Sequence, residues 1–246
     1  VGDGSSFHWD EEGDGEVSIN WAGKGIDKTH QFLAARGIII LENDKGYDVA
    51  DAIYQYATVV LENSDWPDEN ETYTGTFSGH FYDPNTGKNW LGQTSPTAKS
   101  RFIYWSEQAK NNYSSNPQLA MTYLGRAMHY LADLNEPHHA SNYIAGLSDH
   151  SDFETYANDN RGNYGIDTCP SSIYSLYFGS NWSDICDGFA EYSAERAQEE
   201  WIVVGYPAGY TMLSNSYDSV ADEHFKMAQK VMAAYLYRFL QQVGEV

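Results

Sequence analysis

Between positions 129 and 154 the chain carries His129, Asp133, His139, His150 and Glu154. In a helix, residues three and four apart share a face, so His129 pairs with Asp133, as does His150 with Glu154 if that stretch is also helical. The donors are nitrogen and oxygen with no thiolate, and a carboxylate among them can bridge two ions. That pattern points to more than one zinc ion and to hydrolytic chemistry. One His-x-x-x-Asp pair is only moderately specific, because most such pairs are satisfied core or surface contacts. Asp65 and His80 from a polar segment, with His30 at the start of a helix, bring the potential ligands to eight. Burying that many imidazoles and carboxylates without a metal would be costly.

The elements that must position these residues read as helices. A first helix is expected from Thr29, with Thr29 or Asp27 as its cap and Phe32, Leu33, Ile39, Ile40 and Leu41 as apolar faces. A second is expected over 49–61. A loop over 62–97 follows, long enough to imply a function, with a turn at Asp83-Pro-Asn-Thr-Gly87. Further helices are expected near 97–112, 117–134, 151–160, 187–204 and 218–242. In the last, Met227, Val231, Ala234, Tyr235 and Phe239 form a core stripe. Strand-like alternation is scarce and no repeat is found, so the fold class is all-α, a single-domain helical bundle with long polar loops.

A chain of 246 residues suffices for one sizeable domain, and no apolar run approaches the length that spans a bilayer. A formal charge of −21 disfavours long-range attraction to nucleic acid, so no nucleic-acid partner is expected. It does not decide the sign of the site, since bound divalent ions cancel negative charge locally. Cys169 and Cys186 are the two cysteines. Their even count, with few Lys and many Tyr and Trp, favours one disulfide in a secreted protein, two free thiols being the alternative. Residues 1–20 hold six acidic residues, four glycines and no Lys or Arg, the composition of a solvated segment.

The chain resembles the bacterial zinc-dependent phospholipase C family, which includes the catalytic domain of clostridial alpha-toxin. The resembling stretches are Trp21-Ala-Gly-Lys24, Thr29-His30, Ile40-Leu-Glu-Asn-Asp44, Phe77-Ser-Gly-His80-Phe-Tyr-Asp-Pro84, Tyr123-Leu-Gly-Arg-Ala-Met-His129-Tyr, Asp133-Leu-Asn-Glu-Pro-His-His139, His150-Ser-Asp-Phe-Glu154 and Tyr237-Arg-Phe-Leu240. Together they run from position 21 to the C-terminal end.

The resemblance implies a helical domain of the phospholipase C and P1 nuclease type holding three zinc ions. Asp65, His80, His129 and Asp133 match the ligands of one zinc, and His139, His150 and Glu154 those of a second. His30, a bridging Asp133 and the amino nitrogen and carbonyl oxygen of Trp21 match those of the third. Here Trp21 follows twenty residues, so its nitrogen is an amide unless residues 1–20 are removed. They are read as a pro-segment before a catalytic domain over 21–246, a cloning remnant or disordered leader being the alternative. Meanwhile His8, Asp10, Glu11 and Glu12 could reach a metal.

The implied reaction is hydrolysis of the glycerol-side phosphodiester bond of phospholipids, with Asp65 orienting or deprotonating the attacking water or serving only as a ligand. Trp66 and Phe77 match positions that line a choline pocket, where a ring face attracts a quaternary ammonium. Lys24 stands where one branch of the family has a glutamate, which leaves choline preference open. The expected partners are phospholipid and a transient membrane surface, met through Trp66, Tyr73, Tyr82 or Trp90, with a monomeric, secreted chain. The chain ends soon after Leu240, so hydrolysis of accessible lipid is expected rather than lysis. His138 is expected behind the ligands or facing solvent, and His224 at the surface. Rival readings are a single-strand nuclease, a non-catalytic metal-dependent lipid-binding protein and a latent zymogen.

Overall fold

The computed structural model describes residues 29–178, 181–203, 210–212 and 216–246. Trp21 and the whole of 1–20, including His8, Asp10, Glu11 and Glu12, lie outside the described residues, as do Lys24 and Asp27. The helices are α1 Thr29–Lys45, α2 Tyr47–Tyr54, α3 Ala57–Asn70, α4 Ala98–Asn112, α5 Pro117–Asp133, α6 Pro137–Ala140, α7 His150–Asn160, α8 Ser171–Phe178, α9 Trp182–Glu200 and α10 Tyr217–Val243. A short antiparallel pair, β1 Trp201–Val203 and β2 Tyr210–Met212, is in register with Trp201 opposite Met212. The all-α architecture expected from the sequence is what the protein adopts. None of the described helices is long and apolar enough to cross a membrane.

Helix α5 runs through the interior. Asn116 caps it by accepting a hydrogen bond from the Leu119 N–H at 3.1 Å, and Pro117 occupies its first turn, where a missing N–H is harmless. Every residue from Ala127 to Asp133 is buried, so the helix is enclosed on all sides over its last two turns. Its fit against α3 depends on Gly125, where an added Cβ would fall 2.3 Å from the Val60 carbonyl oxygen. On the other side α10 lies against α1, whose Gly37 sits where a Cβ would come 2.6 Å from the Met232 Cβ. The expected α10 stripe holds: Val231, Ala234, Tyr235 and Phe239 are buried, and Met227 is partly so.

Several expectations are corrected. The helix expected over 49–61 is two helices, and α3 continues through the expected loop as far as Asn70. Its buried positions are Val60, Leu61, Ser64 and Pro67, so the inward stripe is completed by a serine and a proline that do not read as helical core. The helix expected over 187–204 begins at Trp182 and ends at Glu200, where β1 takes over; α6 and α8 were not anticipated.

The disulfide is not formed. Both thiols are free and buried, Cys186 within the main core on α9 and Cys169 in a separate small cluster with Ile40, Tyr174, Ala233 and Ala234. His224 is not a surface residue either. It is 3% exposed, and its Nδ1–H donates to the Asn135 carbonyl at 2.8 Å.

Candidate metal centre

Asp133 ends α5, and its carboxylate is almost sealed from solvent at 1% exposure. Its Oδ2 lies 3.0 Å from His80 Nδ1 and 3.3 Å from His129 Nε2, while Oδ1 lies 3.0 Å from His139 Nδ1 and 3.9 Å from His30 Nε2. These four imidazoles come from four places in the chain: α1, a single turn of 3-10 helix at Ser78–His80, α5 and α6. The turn after α5 is short, and Glu136 caps α6 by accepting from the His139 N–H at 2.6 Å. That cap sets His139 against the opposite oxygen of Asp133 from His80.

Two imidazoles are held in a known tautomer by main-chain acceptors. His129 Nδ1–H donates to the Ser64 carbonyl at 2.7 Å, and His80 Nε2–H donates to the Glu71 carbonyl at 3.2 Å. A carbonyl can only accept, so the lone pairs in the neutral rings fall on His129 Nε2 and His80 Nδ1. Those two nitrogens face each other at 3.0 Å beside the Asp133 carboxylate. An electron-rich cluster of this kind is stable only around protons or a cation.

Without a metal, the cluster holds protons. Burial alone would lower the His129 imidazolium, but the Asp133 and Asp68 carboxylates outweigh it and raise its pKa to about 9. His139 is raised to about 10, burial again opposing and Asp133 prevailing. Burial pushes the Asp133 carboxyl up, and His129, His139 and His80 together hold it well below its ordinary value.

Among the described residues three groups of side chains place ligand atoms within 4.8 Å of one another: His30, His129 and Asp133; Asp68, His80 and His129; and Glu136, His139 and His150. The donors are imidazole nitrogens and carboxylate oxygens, which suits zinc. His150 supports the same reading, since it is 6% exposed and its Nδ1 has no hydrogen bond among the described residues. Its Nε2 stands 3.0 Å from Glu154 Oε1, an oxygen that also lies 3.7 Å from His139 Nε2.

The anticipated His30, His80, His129, Asp133, His139, His150 and Glu154 are therefore brought together. Asp65 does not enter any of the three groups; Asp68, one helical turn on, does. Asp68 lies 3.5 Å from His129 Nε2, 3.6 Å from His80 Nδ1 and 3.8 Å from His30 Nε2. Sequence reasoning missed it because the polar composition after Leu61 favours a loop, and its helical spacing from Ser64 is legible only once α3 is known to reach Asn70. Glu136 was missed as well. Its carboxylate is tied to His138, which bridges to Asp149 at 3.0 Å, and Tyr217 closes that chain by donating to Asp149 at 2.7 Å. His138 is thus a buried residue behind the ligands, stacked on His150 with ring centroids 5.0 Å apart.

Phe77 is 40% exposed, with its ring 5.8 Å from that of His80, and its backbone adopts a left-handed φ of 50°. Trp66 is differently committed: the Arg126 guanidinium lies 3.5 Å from its ring centroid and Trp105 meets it edge-on. Tyr82 is buried, which takes it out of the expected surface contacts, whereas Leu91 is exposed. Beside Asp133 a cleft opens, lined by polar His30, His139 and Glu154 and by apolar Leu33, Phe153 and Phe225.

Residues 29–202 match the zinc dependent phospholipase C family. A phospholipase C of Clostridium perfringens is 29% identical over 92% of this chain and 62% of its own length. One from Paraclostridium bifermentans is 26% identical over 98% of this chain and 63% of its own. The alpha-toxin of Clostridium absonum superposes with a TM-score of 0.75 at 27% identity, covering 90% of this chain and 65% of that one. The chain thus spans less than two thirds of the length of these relatives.

Proposed function

This chain belongs to the zinc dependent phospholipase C family, and on that premise we propose that it hydrolyses the glycerol-side phosphodiester bond of phospholipids, yielding diacylglycerol and a phosphorylated headgroup. The observation that carries the reading is Asp133, one buried carboxylate approached by four histidines from separate elements. Asp68, His80 and His129 would hold one zinc, His139, His150 and Glu154 a second, and His30 with Asp133 a third. Zinc supplies Lewis acidity at such a site, bringing the pKa of water to about 7 and offsetting phosphoryl charge.

The chain's own residues supply position and proton traffic. Asp133 orients imidazoles on both of its oxygens, and the Ser64 and Glu71 carbonyls keep the lone pairs of His129 and His80 turned toward it. Asp68 is partly open to solvent, with a side chain 37% exposed. Burial alone would raise its pKa, but the surrounding His129, His30 and His80 lower it, so it is ionised at neutral pH. It therefore takes the role first expected of Asp65, accepting a proton from the attacking water at a carboxylate oxygen. Phe77, exposed beside His80, offers its ring to a headgroup cation, while Trp66 is covered by Arg126.

In this reading, removal of residues 1–20 as a pro-segment would free the Trp21 amine to join His30 and Asp133 as ligands of the third zinc. The protein then acts as a secreted monomer that meets lipid surfaces transiently. Phosphatidylcholine and single-stranded DNA assayed side by side, with and without chelator, test the proposal. Headgroup release that chelation abolishes and zinc restores is expected, with a rise when the chain is trimmed to begin at Trp21. Preferential cleavage of DNA would move the reading to the nuclease branch, and lipid turnover indifferent to chelation would overturn the metal mechanism.

A further inference from the structure

We propose that Glu71 is a positioning residue for the metal centre, pinning the end of α3 and, with it, the main-chain carbonyl that holds His80. The inference rests on the metal-binding reading of Asp68, His80 and His129. Glu71 touches no ligand through its side chain; it acts through where its backbone is held.

Glu71 follows the last residue of α3, and its N–H donates to the Pro67 carbonyl at 2.7 Å. Its side chain, 13% exposed, is fully engaged. The carboxylate accepts from Arg101 and from Trp105 Nε1 at 3.2 Å, both on α4, and from the Tyr130 hydroxyl on α5. One side chain thus ties the end of α3 to both neighbouring helices. Its own carbonyl oxygen accepts from His80 Nε2–H at 3.2 Å, which leaves Nδ1 as the lone pair aimed at Asp133 and Asp68. Tyr130 supports the same ring from below, with centroids 5.2 Å apart.

Two candidate ligands depend on this anchor. Asp68 sits in the last turn of α3, three residues before Glu71, and His80 lies on a short turn with its Nε2–H held by the Glu71 carbonyl. A buried ion pair adds little net stability over apolar side chains of similar volume, so retaining one here is better explained by geometry than by stability. Acceptors behind metal-binding histidines set their tautomer and orientation, and losing one lowers metal affinity by about 10–100-fold.

The experiment measures Zn2+ affinity by chelator competition on the full chain, together with the His80 tautomer from long-range 1H–15N NMR spectra. Because Glu71→Ala would strand Arg101 and could fail to fold, the main variant is Glu71→Leu combined with Arg101→Leu, which removes the pair and keeps the volume. It should lose about 10–100-fold in affinity for one zinc ion and show a mixed His80 tautomer. Glu71→Gln, which retains the acceptor oxygen, should keep most of the affinity. Lys99→Ala breaks a different α4 ion pair, with Asp187, and should leave zinc binding unchanged. Zinc affinity in the double variant within twofold of the unsubstituted protein, or an equal loss in Lys99→Ala, would overturn the inference. A parent protein that binds no zinc would instead overturn the metal reading on which it rests.

Discussion

Asp65 and Asp68 stand three residues apart in α3 and share a face, yet it is Asp68 whose oxygens lie within 4 Å of three histidines. Carboxylates are interchangeable in composition, and a turn of helix separates one that joins a metal-capable group from one that does not. The two make separable predictions. Asp68→Asn should lower zinc affinity by at least about tenfold, because a charged donor is replaced by a neutral one. Asp65→Asn should leave the zinc content of the purified protein unchanged. Metal analysis of the two variants decides the matter, and the reverse order would return Asp65 to the site. Histidines were easier to read than carboxylates here, since each of His30, His80, His129, His139 and His150 was anticipated and all five converge. His138 and His224 show the converse. Both are buried and neither enters a metal-capable group, and only their surroundings reveal it.

Helix α5 carries the greatest weight among the elements, and its approach to α3 is set by Gly125. The closest backbone contact, against Val60, is followed one turn later on both helices by the His129–Ser64 hydrogen bond. Gly125→Ala would place a methyl 2.3 Å from the Val60 carbonyl, forcing the helices apart at the position that holds His129. Overpacking of this kind costs about 1–3 kcal/mol. Thermal denaturation should show the loss, and zinc affinity should fall in parallel; a variant with unaltered stability would mean that the two helices slide past each other at no cost. The end of α3 was the least legible part of the fold. Its inward positions include Ser64 and Pro67, and its last turn is largely acidic and polar, so propensity favoured a loop where tertiary contacts sustain a helix. The helices over 98–112 and 117–133 begin at side chains that cap them, and the one over 217–243 carries a regular apolar stripe, which made all three legible.

Across the whole molecule, a formal charge of −21 surrounds a centre in which His129 and His139, without metal, hold protons. In the metal-free protein His129 and His139 have pKa values raised to about 9 and about 10. Their protonated forms contribute stability that is fully present below the unfolded pKa of about 6.5 and is lost as pH rises through those values. Chelator-treated protein should therefore melt at lower temperature at pH 9.5 than at pH 6.5. Zinc and protons compete for the same nitrogens, so added zinc should stabilise more at the higher pH. A metal-free melting temperature that rises over that interval would contradict the assigned proton occupancy. The sequence by itself determined the donor types, the helical class and the ordered series of histidines, because residue chemistry and 3.6-residue periodicity are local properties. Only the tertiary structure decided that Asp68 and Glu136 join the cluster, that Glu71 stands behind it and that Cys169 and Cys186 occupy separate clusters. Each of these depends on which helix faces are buried against one another, and that is settled by packing between segments far apart in the chain.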